Sequence, residues 1–211
     1  MRLASLLLLA SSSSKGILTK FSGSSYRRSR QFCTSMSDFT ATDMGESDRA
    51  KDLHANLSGV QMKVAEAVVA AERVDGSVTL IAVGKTKPAS DVLALYEAGH
   101  RDFGENYFQE LVTKAEELPK DIRWHFIGHL QSQKAGPIVK GVPNLACVET
   151  VDSTKLAGKL NTAAGTYRAE GNKLNICLQV DTSGEASKSG VPCSEGAALA
   201  LYVKDSCPNL H

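Results

Sequence analysis

Lys85 stands where an α/β protein keeps its chemistry. It follows the apolar run Val78-Thr-Leu-Ile-Ala-Val83 and precedes Thr86-Lys87-Pro88, where a helix can begin. Its amine is therefore expected at the carboxyl end of a buried strand. A partly desolvated ammonium has a lowered pKa, and the neutral amine so provided can capture a carbonyl ligand as a Schiff base. A solvated loop lysine is the plain alternative, and position alone would favour it. The neighbouring strand ends shift the balance.

Phe103-Gly104-Glu105-Asn106-Tyr107 closes a second strand. Gly104 permits close backbone approach, and Asn106 either caps the following helix or offers its amide to a ligand. Trp124-His-Phe-Ile-Gly-His-Leu-Gln131 closes a third strand in the same way, and Gln179-Val-Asp-Thr-Ser-Gly-Glu-Ala-Ser-Lys188 closes a fifth. Polar, glycine-containing loops at several strand ends define one face of a barrel as the site. Two rival motifs fail. Gly84-Lys85-Thr86 would need a glycine where Thr79 stands to make a P-loop, so no nest of amides forms for a phosphate. His125 and His129 have a helical chelating interval, but the first lies on a strand, where four residues span about 13 Å. Ordinary hydrogen-bonding roles are expected of both.

The elements that must position these groups alternate. A helix over 47–73 carries Leu53, Leu57, Val60, Val64 and Val68 on one face, with Ser47 as N-cap. Strands follow at 78–83, 101–103, 123–127, 145–151 and 174–180. Helices lie between and after them, at 89–98, 106–118, 132–140, 153–168 and 194–205, the last capped by Ser194. The helix at 132–140 is weakened by Gly136-Pro137. Such alternation calls for a parallel sheet with crossover helices. The chain thus offers about five βα units after a leading helix, and 206–211 resembles the approach to a sixth strand.

The 211 residues suffice for one substantial domain, and 42% hydrophobic with 22% charged residues is an ordinary globular balance. A net charge of +1 gives no electrostatic reason to expect nucleic acid or membrane as a partner. The first stretch differs. Arg2, Lys15, Lys20, Arg27, Arg28 and Arg30 stand among many serines, with no acidic residue before Asp38. Residues 1–46 are read as a targeting peptide and disordered linker, for mitochondrion or plastid, and 47–211 as the folded domain. A secretory signal built on Leu3–Ala10 is the competing reading, and Met36 as an internal start would leave a cytosolic form. The cysteines at 33, 147, 177, 193 and 207 contain no C-x-x-C pair. Buried or incidental thiols in a reducing compartment are expected, and a zinc site finds no support in the spacing.

Together, Ala82-Val-Gly-Lys-Thr-Lys-Pro88, Arg101-Asp-Phe-Gly-Glu-Asn-Tyr107, Trp124–Gln131 and Thr182–Lys188 resemble the pyridoxal-phosphate homeostasis protein family. Its members are single-domain relatives of the alanine racemase barrel domain. The resemblance runs from about residue 50 to the end. It implies a (β/α)8 TIM-type barrel, incomplete here, with pyridoxal 5'-phosphate (PLP) as cofactor. Lys85 corresponds to the lysine that holds the cofactor aldehyde, and Asn106 to a residue near it. This chain has Gly84 where the family commonly has serine, and Gln133 and Asp181 where it commonly has asparagine. Gly84 is expected to loosen the turn that aims Lys85.

A complete barrel places its phosphate site in the loops after strands 7 and 8, so those residues are expected beyond His211. On that basis the chain is expected to fold poorly or to bind cofactor weakly. The resemblance implies a cofactor carrier rather than a catalyst, with PLP-requiring apo-enzymes as partners. The alternative is a PLP-dependent amino-acid racemase. Catalysis would demand a second acid–base group and a carboxylate site beside the cofactor.

Overall fold

The computed structural model describes residues 47–185 and 189–211. The targeting and linker reading of 1–46 lies outside the described residues, as do Cys33 and the last three residues of the Thr182–Lys188 motif. The chain opens on helix α1 (Asp48–Ala70), where the Ser47 hydroxyl accepts from the Ala50 N–H at 3.2 Å as the expected N-cap. Leu57 and Val68 are buried, while Leu53, Val60 and Val64 are half-buried. That face packs on α2 (Ala89–Glu97), with Arg49 paired to Asp91 at 2.7 Å.

A five-stranded parallel sheet follows in chain order: β1 (Ala82–Val83), β2 (Asp102–Glu105), β3 (Arg123–Phe126), β4 (Leu145–Val151) and β5 (Asn175–Leu178). Helices α3 (Phe108–Glu117), α4 (Ala135–Gly141, after a 3-10 turn at Ser132–Lys134) and α5 (Thr154–Tyr167) join the later strands. This is the α/β arrangement of an incomplete TIM-type barrel. Trp124, Phe126, Val148 and Leu156 lie in one buried core between the helices and the outer face of the sheet. Parallel strands need that cover, because their crossovers put helices on the face. Past β5, short strands β6 (Val180–Asp181) and β7 (Val191–Pro192) pair in parallel, and α6 (Cys193–Ser206) follows. The approach to a sixth strand is present: Leu210 bridges Leu174 in parallel, and the Ile176 N–H donates to the His211 carbonyl at 2.9 Å. Among the described residues no helix is long and apolar enough to cross a membrane.

Three expectations change. The first strand is shorter than 78–83. The pairing of Ala82 with Phe103 means that residues 78–80 run past the start of β2 and have no neighbour on it. Ser194 does not cap α6, which starts one residue earlier after Pro192. Asn106 does not cap α3, whose N-cap is Tyr107. At the start of α5, which was expected to begin at Ser153, that residue is instead the N-cap, its hydroxyl accepting from the Leu156 N–H at 3.3 Å. Ser153→Ala should cost about 1 kcal/mol in urea denaturation, with little change in fold.

Candidate functional site

The carboxyl edge of the sheet gathers the polar strand ends. Val83 pairs with Gly104, and the Gly84 N–H continues that ladder to the Gly104 carbonyl at 2.9 Å. Extending this register sets Lys85 level with Asn106. On the other side the Ile127 N–H donates to the Glu105 carbonyl at 2.9 Å, so the end of β3 lies alongside Asn106. Gly128 is pressed against that backbone: an added Cβ would fall 1.9 Å from the Asn106 carbonyl oxygen. The Thr150 hydroxyl then donates to the Gly128 carbonyl at 2.5 Å, tying the end of β4 to the same layer.

A cavity of about 320 Å³ opens here, lined by Asn106, Gly128, His129, Thr150, Gln179 and Asp181 among others. That volume falls at the lower end of small-molecule sites. Two buried acceptors on its wall, Asn106 Oδ1 and Gln179 Oε1, have no hydrogen-bond partner among the described residues. Native proteins seldom leave such atoms unpaired, and two on one cavity fit a polar ligand. Gln179 also donates through Nε2 to the Ser189 carbonyl at 2.8 Å, which fixes its amide. Sequence reasoning marked its segment but not this residue. The signal available was its place next to the end of the fifth predicted strand, 174–180.

Lys85 is held differently from the expectation. It is exposed, not half-buried. The reason is topological: among the described residues β1 is paired with β2 alone. Lys85 does not line the cavity of Asn106 and Gln179, and no hydrogen bond joins it to Asn106 among the described residues. Its backbone, by contrast, is firmly set. The Lys87 N–H donates to the Gly84 carbonyl at 2.9 Å, closing a turn in which Thr86 takes a φ of 60°. Left-handed backbone at a β-branched residue is costly and must be held by its surroundings.

The clamp comes from β2 and α3. Lys114 Nζ donates to the Gly84 carbonyl at 2.9 Å and to Glu105 Oε1 at 2.6 Å, and the Thr86 N–H donates to Glu110 Oε2 at 2.8 Å. The Lys114 and Glu105 side chains are 7% and 0% exposed. Burial pushes the Glu105 carboxyl up, against the pull of Lys114. Gly84 allows the approach, since a Cβ there would meet Glu105 Oε1 at 2.7 Å. The loosening expected of Gly84 is not seen. Neither Glu105 nor Lys114 was singled out in sequence, because an ion pair across nine residues has no linear signature.

The two histidines serve separate partners. His125 Nδ1 lies 2.8 Å from Glu149 and Nε2 3.3 Å from Asp102, while His129 Nδ1 lies 3.4 Å from Asp152. Burial opposes charge on His125, but its two carboxylate partners outweigh that and raise it to about 9. Burial likewise disfavours charge on Asp102, yet His125 and Arg123 hold it at about 2.

Residues 65–211 match the family described as alanine racemase, N-terminal domain. The chain belongs to that family. Within it the chain groups with pyridoxal phosphate homeostasis proteins. It is 48% identical to the one from Pongo abelii over 138 residues, which are 62% of this chain and 49% of that protein. It is 45% identical to the one from Pseudomonas aeruginosa over 157 residues, covering 74% and 65%. The chain thus spans about half to two thirds of the length of these curated relatives. Among solved structures, an unknown protein from Bifidobacterium adolescentis superposes with a TM-score of 0.69 at 31% identity, covering 81% of this chain and 71% of that one. PipY of Synechococcus elongatus, solved with PLP bound, gives 0.59 at 31% identity, covering 75% and 66%.

Proposed function

We propose that this family member binds PLP as a Schiff base on Lys85 and serves the homeostasis of that cofactor rather than catalysis. The observation that carries this reading is the Gly84–Lys87 turn. It presents an exposed primary amine at the sheet edge, level with Asn106, from a backbone clamped on both flanks. When bound, the cofactor supplies an electron sink for amino-acid chemistry. The residues of this chain supply holding and orientation. With PLP present, the Lys85 amine would hold its aldehyde as an imine, water being lost, and the amide oxygens of Asn106 and Gln179 would accept from its hydroxyl or protonated ring nitrogen. The name pyridoxal phosphate homeostasis protein borne by the relatives, and PipY solved with PLP bound, support the cofactor and the homeostasis role.

The groups next to the anchor favour a holding role over catalysis. Glu110 accepts from the Thr86 N–H and from Lys114 Nζ at 3.4 Å, and Glu105 is buried against Lys114. Those carboxylates are committed to holding the turn and are poorly placed to shuttle a substrate proton. The carrier reading extends to PLP-requiring apo-enzymes as recipients, and to a mitochondrial or plastid setting, with Met36 as the start of a cytosolic form.

Titration of the protein with PLP should produce a new near-ultraviolet or visible band, absent in Lys85→Ala. Single enantiomers of alanine incubated with the loaded protein should keep their optical rotation. Lys85-dependent racemisation would replace the carrier reading by the racemase one. A band unchanged by Lys85→Ala would remove the anchor.

A further inference from the structure

The inner face of the sheet, opposite the helix-covered core, carries a set of side chains that the cofactor reading does not use. His125 on β3 is in register with Cys147 on β4, and Glu149 shares the face of Cys147 two residues on. One ligand atom from each of His125, Cys147 and Glu149 lies within 4.8 Å of the other two. Cys177 on β5 stands beside them, its Sγ 4.0 Å from that of Cys147. Two thiolates at tetrahedral angles on a zinc ion, each about 2.3 Å away, would be separated by slightly less than this.

We propose that His125, Cys147, Glu149 and Cys177 form a binding site for a thiophilic divalent cation of the zinc class. An observation independent of the cluster points the same way. The Glu149 side chain is 6% exposed, and its Oε2 is buried with no hydrogen-bond partner among the described residues. A buried carboxylate oxygen left unpaired is costly, and a cation satisfies it.

The outer partners are also in place. His125 uses Nδ1 toward Glu149 and turns Nε2 to Asp102. Asp102 is itself gripped through both oxygens by Arg123, Nε lying 2.7 Å from Oδ1 and Nη2 pairing with Oδ2. A carboxylate on the far ring nitrogen of a metal-binding histidine is the arrangement that fixes its tautomer and orientation. Binding exchanges protons for the ion. The proton shared by His125 Nδ1 and Glu149 leaves, the Cys147 and Cys177 thiols lose theirs, and Nε2–H stays on Asp102. No oxidant or reductant takes part. The linear spacing of 125, 147, 149 and 177 hides the site, because three adjacent strands contribute to it.

The test uses the full chain without an affinity tag, reduced, freed of metal by chelator and titrated with Co²⁺ as a spectroscopic stand-in for zinc. The expected result is one equivalent bound, with a sulfur-to-cobalt charge-transfer band that Zn²⁺ bleaches. Cys147→Ser should abolish that band and Cys177→Ser should diminish it. Cys193→Ser and Cys207→Ser should leave it intact. Asp102→Asn should weaken binding by roughly 10–100-fold while circular dichroism stays unchanged. No charge-transfer band in the folded, reduced protein, or one that survives Cys147→Ser, would overturn the proposal.

Discussion

Replacing Lys114 by methionine is expected to destabilise the protein by about 3–5 kcal/mol and to loosen the turn that presents Lys85. The cost comes from Glu105. With Lys114 gone, a fully buried carboxylate loses its counter-charge, and stranding one member of a buried pair carries a penalty of this size. Urea denaturation of Lys114→Met, Glu105→Gln and the double variant gives the coupling. The double variant should recover part of the loss, because it removes the unpaired charge along with its partner. The function should respond as well. Lys114 Nζ also holds the Gly84 carbonyl, so the single variant should capture PLP more weakly than its residual folded fraction explains. An unchanged midpoint and unchanged capture would mean that the turn holds itself.

Gly128→Ala should be among the most damaging single-methyl additions in the chain. The new Cβ would sit 1.9 Å from the Asn106 carbonyl oxygen, 2.7 Å from its carbon and 2.9 Å from its Cα. All three are backbone atoms at the mouth of the cavity and cannot rotate aside. Relief requires the end of β2 or β3 to move, at a cost on the order of 3 kcal/mol. The same displacement carries Asn106 away from its place level with Lys85. Gly136→Ala is the matched control, since nothing lies within 4 Å of its added Cβ. It should be neutral, or stabilising by up to about 1 kcal/mol through helix propensity. Equal midpoints for the two variants in urea would show that the β3 end is not packed as described.

How far the sequence predicts this outcome depends on the range of the interaction. The helix over 47–73 is legible because its apolar residues repeat at three and four, and Ser47 marks its start. The strands at 145–151 and 123–127 are legible as apolar runs between turn signals. The alternation of such runs with helices is sufficient to require a parallel sheet. What fails is local wherever two chemistries compete. Asn106 and Ser194 are both good caps by type, yet each helix begins elsewhere because the preceding strand or proline sets the entry. The exposure of Lys85 depends on whether β1 has a second neighbour, which no window of residues reports.

The candidate site is legible in the residues proposed to hold the cofactor and hidden in their supports. Lys85 and Asn106 are marked in sequence by strand-end position and by the resemblance to a known family. Glu105, Lys114 and Glu110, which clamp the turn, are ordinary charged residues until the sheet register brings them together. The inner-face group around His125 is hidden for the same reason. Contacts between adjacent parallel strands join residues more than twenty positions apart, and a linear reading carries no term for them.

The amine on the Gly84–Lys87 turn is the proposed covalent seat of the cofactor. Borohydride reduction of the PLP-treated protein followed by peptide mass mapping tests this assignment. A phosphopyridoxyl increment is expected on the peptide containing Lys85, near one per chain and absent from Lys85→Ala. An increment spread over Lys87, Lys155 and other exposed lysines, or none at Lys85, would contradict it.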